Sequence, residues 1–203
     1  CDLIVIYEIE EPEQLSQNEH YLSVDLGLHN LMICYDSENG RTFILGRKYL
    51  SLERYFHKEI ARVQSVWYAQ QSERRIKYPR SSKHIQRLYR KKQNAVKDYF
   101  YKVTRWIAEY CRKEDIHCVV VRDIRNIRKE KDMGHKTNQK FHNLPYNKLY
   151  IMLEYKLKLY GIPLIKQEES YTSQYSPLSP EVSKRYAEAS NRKERGMYIT
   201  DFA

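Results

Sequence analysis

The chain has 203 residues, 41% hydrophobic and 31% charged, which suits one domain with a sizeable core and room for an inserted arm. Its 36 Lys and Arg against 26 Asp and Glu leave a formal net charge of +10, which suits a polyanionic partner, either nucleic acid or an anionic membrane. No apolar run is long enough to span a bilayer and none is flanked like a signal peptide, so no membrane partner is expected and nucleic acid is preferred.

Residues 3–9 alternate loosely and read as a strand. The Glu10-Glu11-Pro12-Glu13 run breaks it. Tyr21-Leu22-Ser23-Val24-Asp25-Leu26 is a buried strand that stops at Gly27. Leu31-Met32-Ile33-Cys34-Tyr35 is a second strand, closed by the turn cluster Asp36-Ser37-Glu38-Asn39-Gly40, and Thr42-Phe43-Ile44-Leu45 is a third. Three strands on short turns predict an antiparallel meander. Leu52, Tyr55, Phe56, Ile60, Val63 and Trp67 recur at helical spacing. A basic stretch over 74–92 interrupts the apolar pattern. Val96, Tyr99, Phe100, Val103, Ile107 and Tyr110 then mark a second long helix. Cys118-Val119-Val120-Val121 has the pattern of a central strand covered on both faces.

A polar, basic loop occupies 122–140. Asn143 can cap the next helix, whose stripe is Tyr146, Leu149, Tyr150, Leu153, Leu157 and Tyr160. Gly161-Ile162-Pro163 ends it, and Leu164-Ile165-Lys166-Gln167 is another short strand. A meander followed by α/β crossovers is the RNase H-like order. The expected fold is therefore α/β, a mixed RNase H-like (RuvC-type) sheet with flanking helices and a long helical insertion. Both chain ends read as cut, so the chain is expected to be a piece of a longer protein.

Nucleases of that fold hold two divalent metals with acidic side chains at neighbouring strand ends, and hard ions such as Mg²⁺ and Mn²⁺ prefer carboxylate oxygen. Asp25 lies inside an apolar strand just before Gly27, which lets phosphate and metal approach the backbone closely. An Asp that only ends a strand and caps a turn is the competing reading. Asp123 follows the fourth strand, and an Asp paired with Arg122 or Arg125 is as good a reading of it. Glu169 follows the last strand, where exposed Glu pairs are common. His29, close to Asp25, reads as structural or solvated.

The segment Ser23-Val24-Asp25-Leu26-Gly27-Leu28-His29-Asn30-Leu31 resembles the first RuvC motif of OrfB/TnpB-type transposon proteins, relatives of the type V CRISPR nucleases. Further features fit in order: a helical arm after Tyr49-Leu50-Ser51, then Val119-Val120-Val121-Arg122-Asp123-Ile124-Arg125-Asn126-Ile127, then Tyr171-Thr172-Ser173-Gln174. The resemblance implies a transposase-associated, RNA-guided, metal-dependent DNA endonuclease with Mg²⁺ or Mn²⁺ as cofactor and DNA and a guide RNA as partners. It implies the end of a wedge-type β domain over 1–15 and a RuvC-like core over 16–203, with a helical arm over about 51–112. In such proteins the first catalytic Asp matches Asp25. The usual second-motif Glu falls at Arg122, so the pattern is broken there. Some members carry a Glu just before the Tyr-Thr-Ser segment instead, and Glu169 matches that position. Asp25 and Glu169 are therefore the expected metal ligands, with Asp123 as a further catalytic candidate and a third Asp expected beyond Ala203. Tyr175 stands where the first zinc-binding Cys would be, and the four cysteines include no C-x-x-C pair. Zinc is not expected, and about 174–203 reads as a degenerate zinc-ribbon region.

Arg74, Arg75, Lys77, Arg80, Lys83, Arg87, Arg90, Lys91 and Lys92 crowd one segment, interleaved with Tyr78, His84 and Tyr89. Phosphates reward such clusters, so backbone contact with a duplex is expected, against the alternative of a solvated helix face. Arg125 and Arg128 belong to a second basic loop that either grips a strand or is mobile. Two alternatives stay open beside the nuclease: a nuclease-deficient, RNA-guided DNA-binding protein, motivated by Arg122, and a polynucleotidyl transferase acting directly in transposition. A cytoplasmic location in a prokaryotic cell follows from these readings.

Overall fold

Alternating apolar and polar residues make the first strand two-faced. In β1 (Tyr21–Leu26), Leu22, Val24 and Leu26 are buried, whereas Tyr21 and Asp25 are exposed. The computed structural model describes residues 8, 12–13, 18–27, 30–123 and 145–167, together with the backbone of 192–194 and 197–198. The expected strand over 3–9 and most of the 122–140 loop lie outside the described residues.

β2 (Met32–Asp36) pairs antiparallel with β1, Val24 facing Cys34. β3 (Thr42–Leu45) pairs antiparallel with β2, which completes the expected meander. β4 (Cys118–Arg122) runs parallel to β1, with Val24 beside Val121. β5 (Leu164–Gln167) runs parallel to β4, with Arg122 beside Gln167. The sheet order is β3-β2-β1-β4-β5. This is the RNase H-like order: an antiparallel meander whose innermost strand is extended by two parallel strands, each reached by a helical crossover.

Among the described residues, three helices accompany the sheet: α1 (Lys48–Glu73), α2 (Lys83–Lys113) and α3 (Tyr146–Lys158). Phe100, Val103, Ile107 and Cys111 of α2 and Leu149, Leu153 and Leu157 of α3 join Leu22, Val24, Cys34, Val119 and Val121 in one core. Both helices therefore cover the same face of the sheet. Cys34 is buried there, and burial pushes its thiol up to about 12, whereas Cys118, also buried, lies outside that core. The opposite face carries Tyr21, Tyr35, Ile44 and Ile165, all more than a third exposed. Val120 is only half-buried, so β4 is not covered on both faces as its apolar run predicts.

Two turns depend on glycine. Gly46, between β3 and α1, has φ +84°, and a Cβ there would stand 2.2 Å from Leu31 Cβ. Gly27 is crowded by its own turn: a Cβ would meet the Asn30 carbonyl oxygen at 3.0 Å. What approaches Gly27 closely is thus the chain itself.

Helix limits depart from the apolar stripes in two places. α2 starts at Lys83, well before Val96, because Ser82 caps it: the Ser82 hydroxyl accepts from the Ile85 N–H at 3.2 Å. The N-cap position of α3 is Pro145, with no side-chain cap, and Asn143 lies outside the described residues. In the region expected as a degenerate ribbon, the described residues form one antiparallel pair, β6 (Arg192–Glu194) and β7 (Met197–Tyr198).

Candidate active site and nucleic-acid arm

The three parallel strands β1, β4 and β5 end at one edge of the sheet, and their C-terminal residues collect there. One position past the last paired residues, Val24 and Val121, come Asp25 and Arg122. Both stand on the face that the helices leave open. Arg122 Nη1 lies 3.6 Å from Asp25 Oδ1, with the side chains 33% and 52% exposed. The Arg122 backbone is held from two sides, by β5 and by the Tyr150 hydroxyl, which donates to the Arg122 carbonyl oxygen.

Strand alternation sends the next residue the other way. Asp123 lines a cavity of about 200 Å³ with Asn147, Tyr150, Ile151, Glu154 and Lys166, on the α3 side of the sheet. Its N–H donates to the Gln167 carbonyl oxygen at 2.8 Å. Asp25 and Asp123 therefore lie on opposite sides of the sheet. Glu169 lies two residues beyond the end of β5, outside the described residues, as do His29, Arg125 and Arg128.

Two-cation chemistry needs several converging carboxylates. Among the described residues, no three His, Cys, Asp or Glu side chains come together as a cation site. The donor set at the edge is one carboxylate facing a guanidinium, which repels a second positive charge. The described residues do not by themselves fit a divalent cation. A site there requires carboxylates from elsewhere, and Glu169 is the candidate.

The arm is the hairpin of α1 and α2. Arg74, Arg75, Lys77 and Arg80 occupy its turn and are exposed. Trp67 Nε1–H donates to the Arg80 carbonyl oxygen at 3.0 Å and fixes the turn against α1. Tyr78 projects from the turn, 84% exposed, with Lys77 Nζ 5.8 Å from its ring centre. On α2, Lys83, Arg87, Arg90 and Lys91 recur at i, i+4, i+7 and i+8 and form one exposed basic stripe. Lys92 breaks from them. It falls seven residues after buried Ile85 and four before buried Val96, on the inward stripe. Its Nζ stands 2.7 Å from Glu53 Oε2 and 2.9 Å from His57 Nε2 on α1. Lys92 is thus an internal cation of the hairpin, not part of its basic surface.

One polar network escaped the sequence reading. Asp36, fully buried, accepts from the Tyr110 hydroxyl at 2.7 Å and from Asn39 Nδ2 at 3.1 Å, and His20 Nε2 lies 2.7 Å away. Burial pushes the Asp36 carboxyl up, but the hydrogen bonds from Tyr110, His20, Asn39 and Glu38 outweigh it and hold the group below its ordinary range. Asp36 pairs with Leu22, at the far end of β1 from Asp25, so the network fastens β1, β2 and α2 away from the candidate site. The signal was present in the Asp36-to-Gly40 turn cluster, where an Asp can hold the following N–H groups.

Comparison with known proteins agrees with this fold. The family model OrfB_IS605, described as a probable transposase, matches residues 4–128. A model of the Cas12f1-like TNB domain matches residues 146–193. Among solved structures, a Cas12f1–sgRNA–target DNA complex superposes with a TM-score of 0.58 at 17% identity, over 88% of this chain and 42% of that one. A CRISPR-Cas12f ternary complex gives 0.59 at 16% identity, over 87% of this chain and 34% of that one. The chain thus spans less than half the length of either protein, and at such identity the likeness is one of fold. No curated protein matches significantly.

Proposed function

We propose, for a chain that belongs to the OrfB_IS605 family of probable transposases, that it is the RuvC-like core of a transposon-encoded, RNA-guided DNA endonuclease. The observation that carries this reading is the position of Asp25: exposed on the open face, at the edge where the three parallel strands end. A carboxylate there is open to a phosphodiester lying across the strand ends. Glu169 follows β5 at the same edge in sequence order and is the proposed second ligand of Mg²⁺ or Mn²⁺, with Asp123 held apart on the α3 side. DNA and a guide RNA are the proposed partners. The basic stripe of α2 and the hairpin turn are the proposed backbone contacts, and they suit a phosphate surface because the cations are clustered and exposed. Among the described residues, no helix is long and apolar enough to cross a membrane.

The test is cleavage. The protein would be purified with the RNA that copurifies from cells carrying its element, then incubated with a randomised plasmid library in Mg²⁺. The expected result is site-dependent double-strand cleavage by the wild type and its loss in Asp25→Ala. Equal cleavage by the variant would remove Asp25 from the reaction. A second reading, guided binding without cutting, is favoured by the Arg122–Asp25 ion pair. It predicts retention of library DNA with no cleavage by either protein. Strand joining in the same reactions would point instead to a polynucleotidyl transferase.

A further inference from the structure

The tip of the arm carries a side chain that backbone contact with a duplex does not use. Tyr78 is 84% exposed, more than any other large apolar side chain among the described residues. It lies in the turn over 74–82, which holds Arg74, Arg75, Lys77 and Arg80 and no acidic residue. We propose that Tyr78 stacks on an unpaired nucleobase whose flanking phosphates this turn holds. The tip of the arm would then take unpaired nucleotides in preference to a continuous duplex. The proposal rests on the reading of the arm as a nucleic-acid contact and adds the group that tells an unpaired nucleotide from a paired one.

The turn is fastened at both ends. Where α1 stops, the Arg75 N–H donates to the Ser72 carbonyl oxygen at 2.8 Å and the Ile76 N–H to that of Gln71 at 3.0 Å, with Arg75 at φ +57°. This pair of hydrogen bonds closes the helix and turns the chain out of it. Downstream, the Trp67 indole N–H holds the Arg80 carbonyl oxygen, and Ser82 caps α2. Tyr78 is carried between these points, so a base that stacks on it has no loose loop to order first. Lys77 Nζ stands over one face of the ring, 5.8 Å from its centre, and at 84% exposure the ring is open to a base. An aromatic ring suits any base, because every base has a π-face. In a continuous duplex the neighbours cover both faces of each base. A ring at the tip of a hairpin therefore finds a free face only on an unpaired nucleotide or at a duplex end. Tyr89, the other tyrosine of the basic segment, does not share this position: it is 44% exposed, and its hydroxyl accepts from Gln64 Nε2 on α1 at 3.4 Å. Tyr89 serves the hairpin, whereas Tyr78 faces outward.

The experiment is binding of the whole chain to labelled single strands of DNA and of RNA, and to a long duplex whose ends are a negligible part of it, across a salt series. Tyr78→Ala is expected to lose about tenfold in affinity for a single strand, the scale of one stacked base, and to keep its affinity for the duplex. Its log–log salt slope is expected to stay unchanged, since no phosphate contact is removed. Tyr78→Trp is expected to bind single strands at least as well as the wild type. Tyr78→Leu, apolar but without a π-face, is expected to behave as Tyr78→Ala. A strand carrying iodouracil is expected to cross-link to Tyr78 on irradiation, and the DNA and RNA versions of that probe tell which strand supplies the base. Should Tyr78→Ala bind single strands as the wild type does while Arg74→Gln with Arg80→Gln weakens binding, the stacking is overturned and the arm keeps its phosphate contacts. Equal losses on single strand and duplex in Tyr78→Ala would overturn it too, since a paired base offers no free face. Should the arginine variant also bind unchanged, the turn is no nucleic-acid contact and the proposal falls with that reading.

Discussion

Lys92 Nζ and Glu53 Oε2 meet at 2.7 Å between the two helices of the arm, with side chains 17% and 11% exposed. A pair this enclosed ties α1 to α2, and removing Lys92 leaves the Glu53 carboxylate only His57, whose Nε2 lies 3.2 Å away on the same helix. Lys92→Met is expected to cost about 2–3 kcal/mol of unfolding free energy and to leave nucleic-acid affinity unchanged. Arg87→Ala with Arg90→Ala, on the exposed stripe, is expected to do the reverse. Stability should shift by less than about 0.5 kcal/mol. Affinity for a duplex should fall, with the log–log salt slope reduced by roughly one per residue removed. Urea unfolding and salt-titrated binding measure the two effects separately. A Lys92 variant that loses salt-dependent affinity as the arginine variants do would return Lys92 to the surface.

The Asp36 network links stability to acid. Its carboxyl is held below the ordinary 3.8, so the folded state binds its proton less readily than the unfolded chain. The resulting stability is fully present above about pH 4 and is lost as pH falls through the depressed folded value. Asp36→Ala is expected to cost about 3 kcal/mol at pH 7, since Tyr110 and His20 lose a buried acceptor. Asp36→Asn is expected to flatten the loss of stability below about pH 4, measured by urea midpoints from pH 5 down to about pH 2. An unaltered acid limb in Asp36→Asn would assign the acid sensitivity to other carboxylates.

Gly46 joins the sheet to the arm at φ +84° against Leu31. Gly46→Ala combines a strained backbone with a Cβ inside the van der Waals radius of a buried side chain, and is expected to cost about 2–4 kcal/mol. Leu31→Gly in the same background, which removes the Leu31 Cβ that the new methyl meets at 2.2 Å, is expected to recover part of that loss, and thermal unfolding of the single and double variants reads the coupling. Additive losses would show that backbone strain alone is responsible.

Local pattern carried much of this structure. The β1, β3 and β5 boundaries, the meander, the long α1 and α2, and the Leu149-Leu153-Leu157 stripe of α3 follow from periodicity and turn residues, because each is decided within a few neighbouring positions. The helix start at Lys83 was legible in Ser82 but was masked by the density of basic residues that follow. Tyr55 sits within the apolar stripe of α1 yet is 63% exposed, because that helix meets α2 along a narrower face than its sequence offers.

The sequence by itself determined the kind of protein: an RNase H-like chain with a basic arm, of transposon-protein type, carrying an acidic residue at the end of its first core strand. Only the tertiary structure decided which charges meet. Asp25 faces Arg122 because two strands far apart in the chain pair in one register. Asp123 is turned away because the pleat reverses direction at each residue, and Lys92 points inward because its place on the helix follows Ile85 and Val96. Local propensity fixes the elements. The partners of their side chains depend on register and rotation between elements, which are set when distant apolar faces pack together.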